Sequence, residues 1–380
     1  MVCLGEHINF FYGHVLPSTG YLNQFDIEKY YDGLLLRVPK MDQPEELEPV
    51  IRQEKLFGIF REHKEWAGIL RIEDIAGLNN ISNGRSIGDV IKVSEALHEK
   101  KIIEIANLIY EYRDNINVVL VAGPSSSGKT TFSKRLGVQL AVCGMRPIPI
   151  SLDDFFVNRQ HTPVDENGEY DFEALDAVDI EFFNSFLQKL QDGDEVERPR
   201  FDFHTGQRSY RGEKIKLVEN SILIIEGIHG LNPRLLTKDD YKTFRIFISA
   251  LTQISIDEHN YIPTTDNRLI RRIIRDSKYR GYDARTTIKR WPDVRKGEVR
   301  HIFPYQENAD VMFNSALIYE LGVLKKDVEG LLETVKENVP EYSEAVRLLN
   351  FISYFNAIPE DEIPPTSVLR EFLGGSSFNY

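Results

Sequence analysis

Cysteine is scarce in this chain: only Cys3 and Cys143 occur in 380 residues, too few for a disulfide framework or a cysteine metal cluster. A reducing cytoplasm is the compartment this composition predicts. His7, His14 and His63 do not fall at metal-ligand spacings even with Cys3, and they read as scattered surface residues. Long apolar runs are missing too. None approaches the ~20 residues of a membrane span, and residues 1–7 have neither a basic start nor an apolar core, so neither embedding nor export is expected. Positive charge is in deficit: 46 Lys and Arg against 59 Asp and Glu leave a formal charge of −13. That balance argues against nucleic acid or an anionic membrane as a partner, except through a local patch. No internal repeat, low-complexity tract or Asn-Lys-x-Asp guanine-reading motif occurs, and the last absence disfavours a GTPase.

What is present is organised around Gly123-Pro124-Ser125-Ser126-Ser127-Gly128-Lys129-Thr130, which fits the phosphate-binding pattern G-x-x-x-x-G-K-[ST] at every fixed position. The apolar run 117–122 leads into it as a buried strand, and residues 131–136 leave it in helical register. That context is the one the motif needs. Backbone N–H groups of Gly123, Ser125, Ser126, Ser127 and Gly128, with Lys129 and Thr131, form the expected nucleotide cradle. Lys129 is placed to reach the β and γ oxygens and Thr130 to hold Mg²⁺.

Carboxylates recur at the ends of the other apolar runs. Residues 145–152 read as a second strand ending at Asp153-Asp154-Phe155-Phe156. Ligands of open parallel sheets collect at that edge, where an Asp can deprotonate an attacking hydroxyl or ligate Mg²⁺; a helix N-cap is the alternative for the pair. Ser221–Ile225 reads as a central strand closed by Glu226, a carboxylate suited to orient Mg²⁺ or its water. Glu173 precedes a helix that runs through Phe182, Phe183, Phe186, Leu187 and Leu190, and it is placed to accept hydrogen bonds from a sugar diol. Asp176 and Asp179 suit the positive end of that helix. Residues 198–208 read as a polar loop, in which Phe201 and Phe203 fit either stacking on a base or the alternation of a buried strand.

The most uneven charge lies between Arg268 and Arg300, where 12 basic residues face four acidic ones. Arg268, Arg271, Arg272 and Arg275 fall at i, i+3, i+4 and i+7, on one helical face. A polyphosphate clamp, a solvated face and an RNA-binding stripe all fit this pattern, and the neighbouring phosphate loop favours the clamp.

The ordered set of phosphate loop, Ser151-Leu152-Asp153-Asp154-Phe155-Phe156, Asp176-Ala177-Val178-Asp179, Phe201-Asp202-Phe203, Ile224-Ile225-Glu226-Gly227 and the arginine helix resembles the uridine kinase and phosphoribulokinase family of P-loop kinases over residues 115–317. The resemblance implies an α/β fold, a predominantly parallel sheet with flanking helices and an Arg-rich helical lid. It also implies ATP and Mg²⁺, with Asp153 as catalytic base linked to the metal and Glu226 as the acidic metal-site residue. Arg272, Arg275 and Arg280 match the arginines that meet substrate and polyphosphate when the lid closes. Glu173 aligns with the family's diol-binding Asp, and Phe201 and Gly206 stand where uridine kinases place Tyr and His around the pyrimidine. Tyr282 replaces an Arg after the lid's Arg-Gly pair, and His204 is a nearby substitute in the acceptor pocket.

The flanks, including Ile363–Phe378, are similar to the later part of long bacterial nucleoside kinase-like proteins with a threonyl-tRNA synthetase-like N-terminal region. Most of that region would precede this chain, as expected of a fragment or a naturally short form. Residues 1–110 are expected to form a small mixed α/β unit with a connecting helix, 111–325 the kinase domain and 326–380 a helical addition. The expected activity is phosphoryl transfer from Mg·ATP to a small acceptor, a nucleoside 5′-hydroxyl, in a chain that can also form homo-oligomers. Another sugar or sugar phosphate is the alternative acceptor, and a nucleotide-driven switch or RNA-associated ATPase the alternative class.

Overall fold

The structure, a computed structural model, describes residues 2–9, 15–39, 43–82, 87–165, 168–202, 205–238, 241–252, 254–257 and 259–379. Two compact units divide at Glu54 and Lys55. In the first, strands β1 (Val2–Leu4) and β2 (His7–Asn9) pair antiparallel. So do β3 (Asp26–Tyr30) and β4 (Gly33–Arg37), closed by a two-residue turn at Tyr31 and Asp32. The sequence over 8–12 reads as a strand, and residues 10–12 of it lie outside the described residues.

The second unit begins with helices α1 (Glu54–Leu70), α2 (Ile75–Ser82) and α3 (Ile87–Glu111). Its centre is a five-stranded parallel sheet in the order β11-β10-β5-β9-β6. The strands are β5 (Val118–Ala122), β6 (Arg146–Ser151), β9 (Ser221–Glu226), β10 (Thr243–Ser249) and β11 (Val311–Asn314). Every residue of β5 is buried, as a strand covered on both faces must be. Successive side chains alternate between two cores. Val119 and Val121 join Ile102, Ile105 and Ile109 of α3 and Phe132 and Leu136 of α4 (Lys129–Val142). Val118 and Leu120 join Phe183, Phe186 and Leu190 of α5 (Ile180–Gln191) on the other side.

A hairpin of β7 (Val196–Asp202) and β8 (Gln207–Ile215) follows α5, and α6 (Thr264–Tyr279) and α7 (Ala284–His301) form the arginine-bearing lid. Helices α8 (Glu320–Leu332), α9 (Tyr342–Ser353) and α10 (Arg370–Leu373) close the chain. Among the described residues, no helix is long and apolar enough to cross a membrane.

Three expectations need correction. The division falls at residue 54 rather than near 110, because the apolar stripe of α3 shares its core with α4 and the sheet. Residues 198–208 contribute to a hairpin rather than an irregular loop, with Arg200 opposite Ser209 and Phe201 opposite Arg208. His63 is not a surface residue: it is buried on α1, with its ring 4.6 Å from that of Trp66.

Candidate active site

The first β-strand of the sheet that ends in a glycine turn, β5, delivers the phosphate loop to the topological switch between β9 and β10. Gly128 adopts φ 81°, a left-handed conformation open to glycine at little cost, and Ser126 adopts φ 59°. Alternation of this kind turns successive N–H groups toward a common concavity. The carbonyls are tied on the outside. Arg268 Nη1 donates to Ser125 O at 3.2 Å, Arg271 Nη1 to Ser126 O at 3.4 Å and Ser315 Oγ to Ser127 O at 2.5 Å. The loop is therefore held in shape by α6 and by the turn after β11.

This explains two of the four arginines of α6. Arg268 and Arg271 are 1% and 0% exposed and pair with Glu298 and Glu320, respectively. The expectation that all four form one phosphate-facing surface is thus corrected: burial commits Arg268 and Arg271 to the scaffold. Arg272 instead donates to Ser125 Oγ at 2.7 Å, and Asp276 gathers Arg272, Arg275 and Arg280 within 3.3, 2.9 and 3.7 Å. Burial pushes Asp276 up, but its three arginines outweigh this and hold it below the usual carboxylate range. Repulsion from Arg275, followed by burial, lowers Arg280 to about 10. The three arginines carry more positive charge than Asp276 alone neutralises.

At the sheet edge, Glu226 accepts from Ser151 Oγ at 2.9 Å and from Thr130 Oγ1 at 3.4 Å, linking the ends of β9 and β6 to the start of α4. Burial and the nearby charge of Asp153 raise Glu226 to about 7, against the pull of Lys129. Lys129 donates to Pro124 O at 3.0 Å and is itself lowered by burial. The adjacent aspartates separate into different roles. Asp154 is buried and accepts from Arg200 and from Phe201 N, both at 3.3 Å, whereas Asp153 has no side-chain hydrogen bond or ion pair among the described residues. Among those residues no group of three His, Cys, Asp or Glu side chains can hold a metal by itself. Thr130, Asp153 and Glu226 fit an ion such as Mg²⁺, which takes one or two carboxylates and completes its shell with phosphate oxygens and water.

Glu173 lies in a turn fixed by Asp171, whose Oδ1 accepts from Glu173 N at 3.0 Å and Ala174 N at 3.1 Å. Its Oε2 is buried without a hydrogen-bond partner among the described residues. Burial raises its pKa to about 7; Arg272 and Lys129 oppose that shift, and Glu298 and Asp153 reinforce it. Close approach to α7 depends on Gly297, where a side chain would overlap Glu173. Of the other residues expected near the acceptor, Phe201 packs on Phe156 with ring centres 5.6 Å apart. Gly206, at φ 69°, lies beneath Arg159, whose Cβ is 2.7 Å from where a Gly206 side chain would begin. Tyr282 lies under Arg290. His204 is outside the described residues.

Sequence reasoning missed Asp276, Glu298 and Ser151 as members of this network. Glu298 accepts from Ser125 N at 3.2 Å and from Arg295 at 2.6 Å besides Arg268. The i,i+3 spacing of Arg295 and Glu298 was the one local signal, and it cannot reveal a partner 30 residues away.

Residues 118–319 match the family model described as "Phosphoribulokinase / Uridine kinase family". A uridine kinase from Borrelia duttonii is 29% identical over 225 residues, covering 56% of this chain and 95% of that protein. Another, from Staphylococcus haemolyticus, is 27% identical over 199 residues, covering 52% and 87%. A solved structure titled "Possible Uridine Kinase", from Bacillus stearothermophilus, aligns with 52% of this chain and 89% of its own at 19% identity and a TM-score of 0.35. The family match runs from the first residue of β5 to the residue before α8, more than half the chain, and takes in the phosphate loop, both strand-end carboxylates and the whole lid. On that extent of agreement, the chain belongs to the phosphoribulokinase / uridine kinase family.

Proposed function

We propose that this ATP-dependent phosphotransferase moves the γ-phosphoryl group of ATP to the 5′-hydroxyl of a nucleoside, uridine or cytidine first. The observation that carries this reading is Glu173: a carboxylate whose Oε2 is buried with no hydrogen-bond partner among the described residues, in the same charged group as Arg272, Lys129 and Asp153. A sugar diol donates the two hydrogen bonds that such a carboxylate needs. Asp153 accepts or orients the proton of the attacking hydroxyl, since it is the aspartate of the pair with no other commitment among the described residues. Lys129, Arg272, Arg275 and Arg280 offset the negative charge of the transferred group. Thr130, Glu226 and Asp153 would hold Mg²⁺, which supplies charge neutralisation to the phosphates when bound.

A second reading has its own support. Arg159 covers Gly206 where uridine kinases resembled by the sequence place a histidine, and a guanidinium there favours a sugar phosphate over a neutral base. ADP production from Mg·ATP across nucleosides and sugar phosphates, each against a no-acceptor control, separates the two. Stimulation by uridine or cytidine supports the first, and stimulation by a sugar phosphate alone the second. Equal hydrolysis with and without every acceptor overturns both in favour of a nucleotide-driven switch.

A further inference from the structure

The segment after α9 lies beyond the family match, yet it reaches the phosphate loop. Ile363, Val368, Leu369 and Phe372 are each at most 3% exposed. Val368 lies against Gly128, and Phe372 faces the Arg271 guanidinium at 5.1 Å. Arg370 donates to Glu360 O and Ile363 O at 3.0 and 2.9 Å, Lys278 of the lid donates to Leu373 O at 2.9 Å, and Ser377 N closes onto Pro365 O at 2.9 Å. These anchors fix the backbone of α10 without using the side chain of Glu371.

That side chain points at the start of α4. Glu371 Oε2 accepts from Thr131 Oγ1 at 2.7 Å and from Thr131 N at 3.3 Å. The first N–H groups of a helix have no partner within it, and the N-cap of α4 is Gly128, which has no side chain to offer. An anion at this end is favoured by the first-turn N–H donors and by the helix dipole. Among the described residues Glu371 forms no direct ion pair: Thr131 donates to its carboxylate, and the charges of Lys129 and Lys134 act on it from farther off. In a G-x-x-x-x-G-K-[ST] loop these same first-turn donors cradle the α- and β-phosphates.

Resting on the nucleotide-binding reading above, we infer that Glu371 is a resident anion that competes with a nucleotide phosphate for Thr131, and so sets nucleotide affinity from outside the kinase core. Only the side chain has to turn away when a phosphate enters, because the surrounding segment is anchored independently. Two anions on one pair of donors repel, so the wild-type chain binds nucleotide more weakly than a chain neutral at this position.

The test compares wild type, Glu371→Gln and Glu371→Ala by calorimetric titration with ADP, with the non-hydrolysable Mg·AMPPNP and with adenosine. Both variants are expected to bind ADP and AMPPNP about tenfold more tightly, with adenosine, which has no phosphate, unchanged. In turnover, KM for ATP falls by a similar factor while kcat stays within about twofold. Equal or weaker ADP binding in the variants overturns the inference, and so does an equal gain for adenosine. Should either variant fail to fold, Glu371→Asp, which keeps the charge on a shorter arm, takes its place: tighter ADP binding supports release of Thr131, and unchanged or weaker binding overturns it. A wild type that binds neither ADP nor AMPPNP overturns the kinase reading as well, whereas nucleotide binding without a gain in the variants overturns this inference alone.

Discussion

Replacing Gly297 by Ala sets the helix preference of α7 against the space held by Glu173. At an open helical position Gly→Ala stabilises by about 1 kcal/mol. Gly330 in α8, with nothing within 4 Å of an added Cβ, is such a position. At Gly297 the new carbon overlaps Glu173 Cβ and falls 2.9 Å from its Cγ, inside the 3.4–4 Å of ordinary contact. Neither atom is the free end of the side chain, so the turn at 171–174 or α7 itself must shift by on the order of 0.5–1 Å. Overpacking costs about 1–3 kcal/mol, which leaves a net loss of about 0–2 kcal/mol after the helix gain. Catalysis is more sensitive, since a misplacement of about 1 Å can cost 10²-fold. Gly297→Ala is therefore expected to lower kcat/KM for the acceptor about 10²-fold and to leave ADP affinity within about twofold. Gly330→Ala leaves both unchanged and raises Tm by about 2 °C. Acceptor-dependent ADP production, ADP titration and thermal melts of the three proteins measure this. A Gly297→Ala protein with wild-type acceptor kinetics and a Tm raised like that of Gly330→Ala would refute the packing of Glu173 against α7 and its role in acceptor binding.

Two further outcomes follow from the site. Asp153→Asn is expected to lower kcat by about 10²–10⁴-fold while ADP titration still shows binding, and full transfer to the correct acceptor would exclude Asp153 as the base. Glu173 titrates at about 7 in the folded chain against an ordinary 4.5, so the stability it contributes is complete below 4.5 and lost as pH rises through about 7. Between about pH 5 and 8, wild-type Tm should fall relative to that of Glu173→Gln, while KM for the acceptor falls as the carboxylate ionises. Parallel pH profiles of the two proteins would remove Glu173 from both effects.

The core of the fold was legible because its signals are local. The apolar runs at 117–122, 145–152 and 221–225 became β5, β6 and β9 within a residue or two; β5 and β9 lie inside the sheet, where a strand covered on both faces must be apolar. The phosphate loop was legible for the same reason: its spacing encodes its own backbone geometry, and Gly128 takes the left-handed conformation that the motif requires. The hairpin at 196–215 was not, because Pro199 and alternating arginines hide a strand whose charges are satisfied across the pair and by Asp154 and Glu213.

Sequence by itself determined that a phosphate loop, two strand-end carboxylates and an arginine helix occur in one order, because each is a short pattern read from neighbouring residues. Only the tertiary structure decided what each charge does. The spacing of Arg268, Arg271, Arg272 and Arg275 gives them one helical face, but burial beside Glu298 and Glu320 makes the first two scaffold and leaves the others around Asp276. Adjacent Asp153 and Asp154 are equal in the sequence, and the reach of Arg200 from β7 separates them. Glu371 and Thr131 are 240 residues apart, and only the packing of α10 on the loop brings that carboxylate to the helix start. Charge partners across such distances are chosen by desolvation, which exists only once the chain has folded around them.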